Sequence, residues 1–139
     1  MSKGLTDTIK EQLLDNMLGD AANTPLAQTP IYIGLSTTDP GSDGTGFTEP
    51  TGGAYARQSS TNDATNWPDS SSGQKSNGAV IQYPVATAAW GTITHWGIFL
   101  AVSGGTPVAW GELDTPRAVA SGDQFQHGIG KLVLTFANQ

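Results

Sequence analysis

The sequence predicts a mainly β fold: one domain over residues 1–139, an antiparallel β-sandwich, jelly-roll-like sandwich or small barrel, with a single N-terminal amphipathic helix. Three observations carry this. Trp90 to Glu112 reads WGTITHWGIFLAVSGGTPVAWGE, two aromatic and β-branched runs about a Ser-Gly-Gly-Thr link, which is a hairpin signal. About eight short runs of strand character are separated by turn-forming segments along residues 31–136. Eighteen glycines and eight prolines with only 13% charged residues are the composition of strands and turns.

The helix comes first. Leu5, Ile9, Leu13 and Met17, with Leu14 and Leu18 beside them, form one apolar stripe from Leu5 to Leu18. Thr8 and Glu11 have capping-box spacing, Thr6 is a competing cap, and Gly19 is a natural stop. The stripe either covers a face or open end of the sheet or docks on a neighbouring subunit, so Leu5, Ile9, Leu13 and Met17 are candidate partner-binding residues.

After a polar connector, Ile31 to Ser36 is a strand. Thr37 to Gly53 (TTDPGSDGTGFTEPTGG) is almost all turn chemistry and long for a compact domain, which marks a functional or a flexible loop. Ala54 to Ser59 is the next strand, and Thr61 to Gly78 is a second polar loop, interrupted by Trp67-Pro68. Ala79 to Tyr83 is a short strand stopped by Pro84.

In the hairpin, Thr94, Trp96, Ile98 and Leu100 share one face and Ile93, His95, Gly97 and Phe99 the other. Both faces are largely apolar, so cover is expected on both sides. A loop of Ser103 to Thr106 pairs Val102 with Pro107, Phe99 with Trp110 and His95 with Asp114. Thr115-Pro116 then breaks the chain. Arg117 to Ala120 and Gln124 to His127 flank the turn Ser121-Gly122-Asp123, and Lys131 to Phe136 closes with Leu132, Leu134 and Phe136 inward.

Twelve acidic against six basic residues give a net charge of −6. The basic residues are scattered rather than clustered, so nucleic acid is not expected as a partner. No run is long and apolar enough for a signal peptide or a membrane span, so a soluble chain without a membrane partner is expected. The absence of cysteine excludes disulfides, thiolate metal sites and a cysteine nucleophile.

Catalytic motifs are weak. His95 and Asp114 meet under the register above, but no nucleophile-elbow pattern accompanies them. His127 has no second ligand at metal spacing, and Glu49, Glu112 and Asp114 are paired carboxylates only if the fold brings them together. Asp39 to Gly44 (DPGSDG) lacks the ligand alternation of an EF-hand and reads as a hydrogen-bonded turn. No catalytic residue, cofactor or metal is expected. Trp67 is the remaining signal: within a polar loop it is a plug folded back on the core, a contact residue or a sugar platform.

The helix LTDTIKEQLLDNMLG, IYIGLSTTDP at Ile31 to Pro40, TEPTGGAYAR at Thr48 to Arg57, WGTITHWGIF at Trp90 to Phe99, GELDTPRAV at Gly111 to Val119 and SGDQF at Ser121 to Phe125 follow one another in a characteristic order. In these motifs the chain resembles a family of small structural proteins of tailed-bacteriophage virions, some labelled tail-fibre-like and some capsid decoration or cement proteins. The resemblance implies a non-enzymatic β-rich subunit of the virus particle. It makes the motifs fold determinants: glycines for turns, Tyr55 and Trp96 for packing, Arg57 for a nearby carboxylate.

The leading expectation is a capsid decoration protein on the capsid exterior, a homotrimer that binds and stabilises the major capsid protein lattice. The alternative is a tail fibre or baseplate subunit that recognises a host surface, with Trp67 in the contact. A hydrolase of surface polysaccharide, using His95 and Glu112, is the third.

Overall fold

The computed structural model describes residues 4–7, 9 and 30–135. Nine strands occur among them: β1 (Gly4–Leu5), β2 (Ile31–Ser36), β3 (Gln58–Ser60), β4 (Gln74–Ser76), β5 (Ile81–Val85), β6 (Gly91–Phe99), β7 (Ala109–Val119), β8 (Gln124–His127) and β9 (Val133–Thr135). Five make an antiparallel sheet in the order β1-β7-β6-β2-β3, and β4-β9 and β5-β8 make two antiparallel ribbons. Among the described residues the larger sheet ends in open edges at β1 and β3, so it is not the closed barrel among the expected architectures.

The expected cover on both faces of β6 is present. On one side Ile33, Leu35, Trp96, Ile98 and Ala109 join Ile81, Tyr83 and Phe125 of the β5-β8 ribbon in one buried cluster with Trp90, Ile93 and Leu132. On the other side the loop 37–53 folds down on the sheet. Phe47 meets Phe99 edge-on with ring centroids 5.0 Å apart, and the Trp110 indole N–H donates to Gly41 O at 2.9 Å.

The hairpin register differs from the sequence expectation by two residues. Trp96 faces Gly111, Gly97 faces Trp110, and His95 faces Glu112 rather than Asp114. Complementary size explains the shift. A Cβ on Gly111 would lie 2.5 Å from the Trp96 ring, so Trp96 is accommodated by the glycine opposite it, while bare Gly97 opposite Trp110 leaves room for Phe47. The expected register would have set Trp110 against Phe99. From His95 to Ile98 the slip is of two residues, so those side chains keep their faces, whereas beyond the bulge Ile93 faces Arg117 and joins the buried cluster of Trp96 instead of sharing the face of His95.

Other differences have local causes. Thr115-Pro116 does not end a strand; it lies in a bulge, where Ile93 to His95 of β6 spans Arg117 to Glu112 of β7. Pro84 likewise falls in an irregularity between Gln82 and Val85 of β5 instead of stopping the strand. The described residues do not bear out the N-terminal helix: Leu5, expected to open it, pairs as a strand with Ala109, because the edge of β7 offers free backbone groups and pairing there satisfies both strands. Leu13 and Met17, with the rest of the stripe beyond Ile9, lie outside the described residues, as does Phe136.

Candidate functional site

The most organised polar centre is built by TEPTGGAYAR. Turns at Gly52 and Gly53, both at positive φ, swing the chain so that Glu49, Tyr55 and Arg57 converge beyond the end of β3. Arg57 Nε donates to Glu49 Oε1 at 2.9 Å and Nη2 to Oε2 at 2.7 Å, a bidentate pair with the arginine side chain 3% and the glutamate 26% exposed. Nη1 donates to the carbonyls of Ala101 and Gly104 at 2.9 and 3.0 Å, and the guanidinium lies 3.4 Å from the centroid of Phe99. Tyr55 OH donates to Glu49 Oε1 at 2.7 Å and accepts from Leu35 N at 2.9 Å, taking the position a further β3 residue would have filled. Burial, and then the bond to Glu49, push the Tyr55 phenol far above its ordinary range, so it remains a donor.

This cluster is a staple. It fastens the loop 37–53, the 54–57 segment and the β6–β7 loop to one end of the sheet. The sheet admits it because Gly34 and Gly97 are cross-strand partners: a Cβ on Gly34 would lie 2.9 Å from Phe99 and 3.0 Å from Glu49 Oε1, and one on Gly97 would lie 2.6 Å from Phe47. Two adjacent bare positions leave a slot into which Phe47 and Glu49 descend.

The loop 37–53 is held by its own polar groups. Ser36 Oγ donates to Thr38 O at 2.7 Å and accepts from Thr38 N and Thr48 N at 3.1 and 2.9 Å. Asp39 and Asp43 accept from backbone N–H groups two residues on, at 2.9 and 3.0 Å, and the bond from Thr45 lowers the Asp43 carboxyl below its usual range. DPGSDG is therefore a pair of Asx turns, as its sequence indicates.

The register sets Ser36, His95 and Glu112 in one row across β2, β6 and β7, the composition of a hydrolase triad. The geometry is not that of a triad. Ser36 is fully buried with its hydroxyl committed to the loop, and His95 Nδ1 pairs with Thr94 Oγ1 at 2.7 Å while its ring lies edge-on to Trp110. Glu49 belongs to the staple, and exposed Asp114 stands 4.0 Å from Lys131. His127 is enclosed by Tyr83 and Phe125, with Nε2 3.4 Å from Tyr83 OH; burial, with Arg117 nearby, pushes its pKa down to about 3. Among the described residues no three His, Cys, Asp or Glu side chains are grouped to hold a metal, and no helix is long and apolar enough to cross a membrane.

Of the residues expected at a partner contact, Trp67 is folded inward. It is 5% exposed, joins the main core cluster and donates from its indole to Ser60 Oγ at 3.0 Å. That is the plug of the three alternatives, and the indole presents no face to a sugar ring. Leu5 and Ile9 come together in an apolar groove of about 270 Å³ with Ile98, Leu100, Val108, Ala109 and Leu134. The carboxylate expected beside Arg57 is that of Glu49, eight residues earlier in the same TEPTGGAYAR motif.

The fold and this centre define a β-rich domain whose loops are held to the sheet by an ion pair and by their own hydroxyls. The chain belongs to the family described as podophage GP4 fiber I protein gp80, whose model matches residues 4–135. This places it among the structural proteins of tailed-phage virions, the class that its motifs resemble. No curated protein matches the chain.

Proposed function

We propose that the protein is a tail-fibre component of a podophage virion, a structural subunit and not an enzyme. The observation that carries this is the family match over nearly the whole chain, to a family described as a fibre protein. It favours the fibre alternative over the expected capsid decoration role and a position on the capsid exterior. The fold is compatible: an open antiparallel sheet with both faces covered and long loops fixed in place supplies a rigid module that assembles through its surface. A homotrimer remains part of the proposal as a closed arrangement in which one patch is used three times. Contact with the major capsid protein belongs to the decoration reading and is separated by the same experiment.

That experiment measures copies of this chain per particle by quantitative peptide mass spectrometry against the major capsid protein, with antibody labelling of intact virions. A ratio of a few per cent with label on the tail is expected. A ratio near one per capsid subunit with label over the head would overturn the fibre reading and restore decoration.

A further inference from the structure

The chain contains one Asn-Gly pair, Asn77-Gly78, and both residues are imposed by the fold. Asn77 is 2% exposed. Its Nδ2 donates to Ala79 O at 2.9 Å and Gly128 O at 3.0 Å, its Oδ1 accepts from Leu132 N at 2.9 Å, and its backbone carbonyl accepts from Gly130 N at 2.9 Å. One side chain thus ties the segment entering β5 to the turn between β8 and β9. Gly78 has no room for a side chain, since a Cβ would lie 2.6 Å from Thr65 O and 2.8 Å from Pro68, and its N–H donates to Asn66 O at 2.6 Å.

Asn-Gly is also the dipeptide in which asparagine most readily deamidates, because glycine does not shield its own nitrogen. The Gly78 nitrogen, losing its proton, attacks Cγ of Asn77; the new C–N bond forms as the Cγ–Nδ2 bond breaks and ammonia leaves. Water then opens the cyclic imide to aspartate or isoaspartate. In the folded chain this attack is blocked. The Gly78 N–H is held by Asn66, and Cγ cannot turn toward it without giving up three side-chain hydrogen bonds in a site closed to water.

We infer that Asn77 is a latent modification site, silent in the folded protein and reactive when this joint opens, and that its conversion is one-way. Aspartate would direct a carboxylate oxygen at two carbonyl oxygens where Nδ2 had donated, and isoaspartate would also lengthen the backbone. Either product prevents the joint from reforming, so each episode of opening leaves a covalent mark that lowers stability. The folded-state rate is the unfolded-chain rate multiplied by the population of the open state, so even a few kcal/mol of local stability implies a suppression of roughly 100-fold or more.

The test incubates the full chain at mildly alkaline pH with and without a denaturing concentration of urea. The fraction of the Asn77 peptide one mass unit heavier is then followed, with digestion under mildly acidic conditions. The expected result is conversion in urea and suppression of roughly 100-fold or more without it. The converted chain, returned to native buffer, should melt lower than unconverted chain carried through the same cycle. Equal rates in the two conditions, or an unchanged melting temperature after conversion, would overturn the inference. Neither measurement requires a variant to fold.

Discussion

Replacing Arg57 with alanine removes the centre of the staple. The guanidinium makes two bonds to Glu49 and two to backbone carbonyls, and it lies over Phe99. Truncating one partner of a buried ion pair costs about 3–5 kcal/mol, because the other charge stays behind without compensation. Glu49 is 26% exposed and can recover some hydration, which places Arg57→Ala near the lower end, at ~3 kcal/mol. Each kcal/mol shifts the melting temperature by about 4 °C in a chain of this length, so a fall of ~12 °C is expected. Thermal and urea unfolding followed by circular dichroism provide the assay, with the urea m-value unchanged if the native fold is retained. Arg57→Lys keeps the charge but cannot bridge Glu49 and both carbonyls, and should lose about half as much. Amide exchange in the β6–β7 loop should accelerate in both variants, since Ala101 and Gly104 lose their donor. A melting temperature within about 2 °C of wild type for Arg57→Ala would refute the staple, because that shift is worth only ~0.5 kcal/mol.

Three further outcomes are expected. His127 titrates at about 3 in the fold against 6.5 ordinarily, chiefly because it is buried. As pH falls, the unfolded chain takes the proton first, so stability present above the ordinary value is lost progressively below it. The loss reaches ~3 kcal/mol near pH 4.5. Unfolding of wild type and His127→Leu compared from neutral to acid pH isolates this component, and parallel curves would contradict it. Gly111→Ala drives a methyl into the Trp96 ring and should cost ~1–3 kcal/mol by denaturant titration, whereas a neutral effect would mean that the register is not set by this fit. Trp67→Ala empties a core position and leaves Ser60 Oγ without its donor, for ~3–5 kcal/mol. Weakened adsorption by phage carrying it should therefore be accompanied by a lower melting temperature, and weakened adsorption at unchanged stability would restore Trp67 as a contact residue.

Strand character was legible where side-chain chemistry alone decides it. Ile31 to Ser36 is a strand with the bounds its sequence predicts, β6 is covered on both faces, and Leu132 points inward. Two strands left no such mark. Gly4–Leu5 is strand because β7 presents an open edge, and Gln74–Ser76 is strand because β9 pairs with it, although all three of its residues are polar. Of the functional candidates, the resemblance to tailed-phage virion proteins was carried by motif order, and Arg57 was readable as half of an ion pair. The place of Trp67 was not readable, because a tryptophan in a polar loop has the same local sequence whether it turns inward or outward.

Sequence alone settled the β class, the strand Ile31–Ser36 and the alternating faces of His95 to Phe99, but not every turn: Ala54 to Arg57, expected as strand, are not, and Pro84 and Pro116 lie inside strands. What it settled depends on the alternation of side chains along one strand, a property of neighbours in the chain. Only the tertiary structure decided the register, the seating of the loop 37–53 and the partner of Arg57. Each of these is set by fit across strands: glycine opposite tryptophan in β6 and β7, the Gly34–Gly97 slot beneath Phe47 and Glu49, and a guanidinium that reaches carbonyls 44 and 47 residues along the chain. Such complementarity exists only once distant segments are in contact, so no local pattern encodes it.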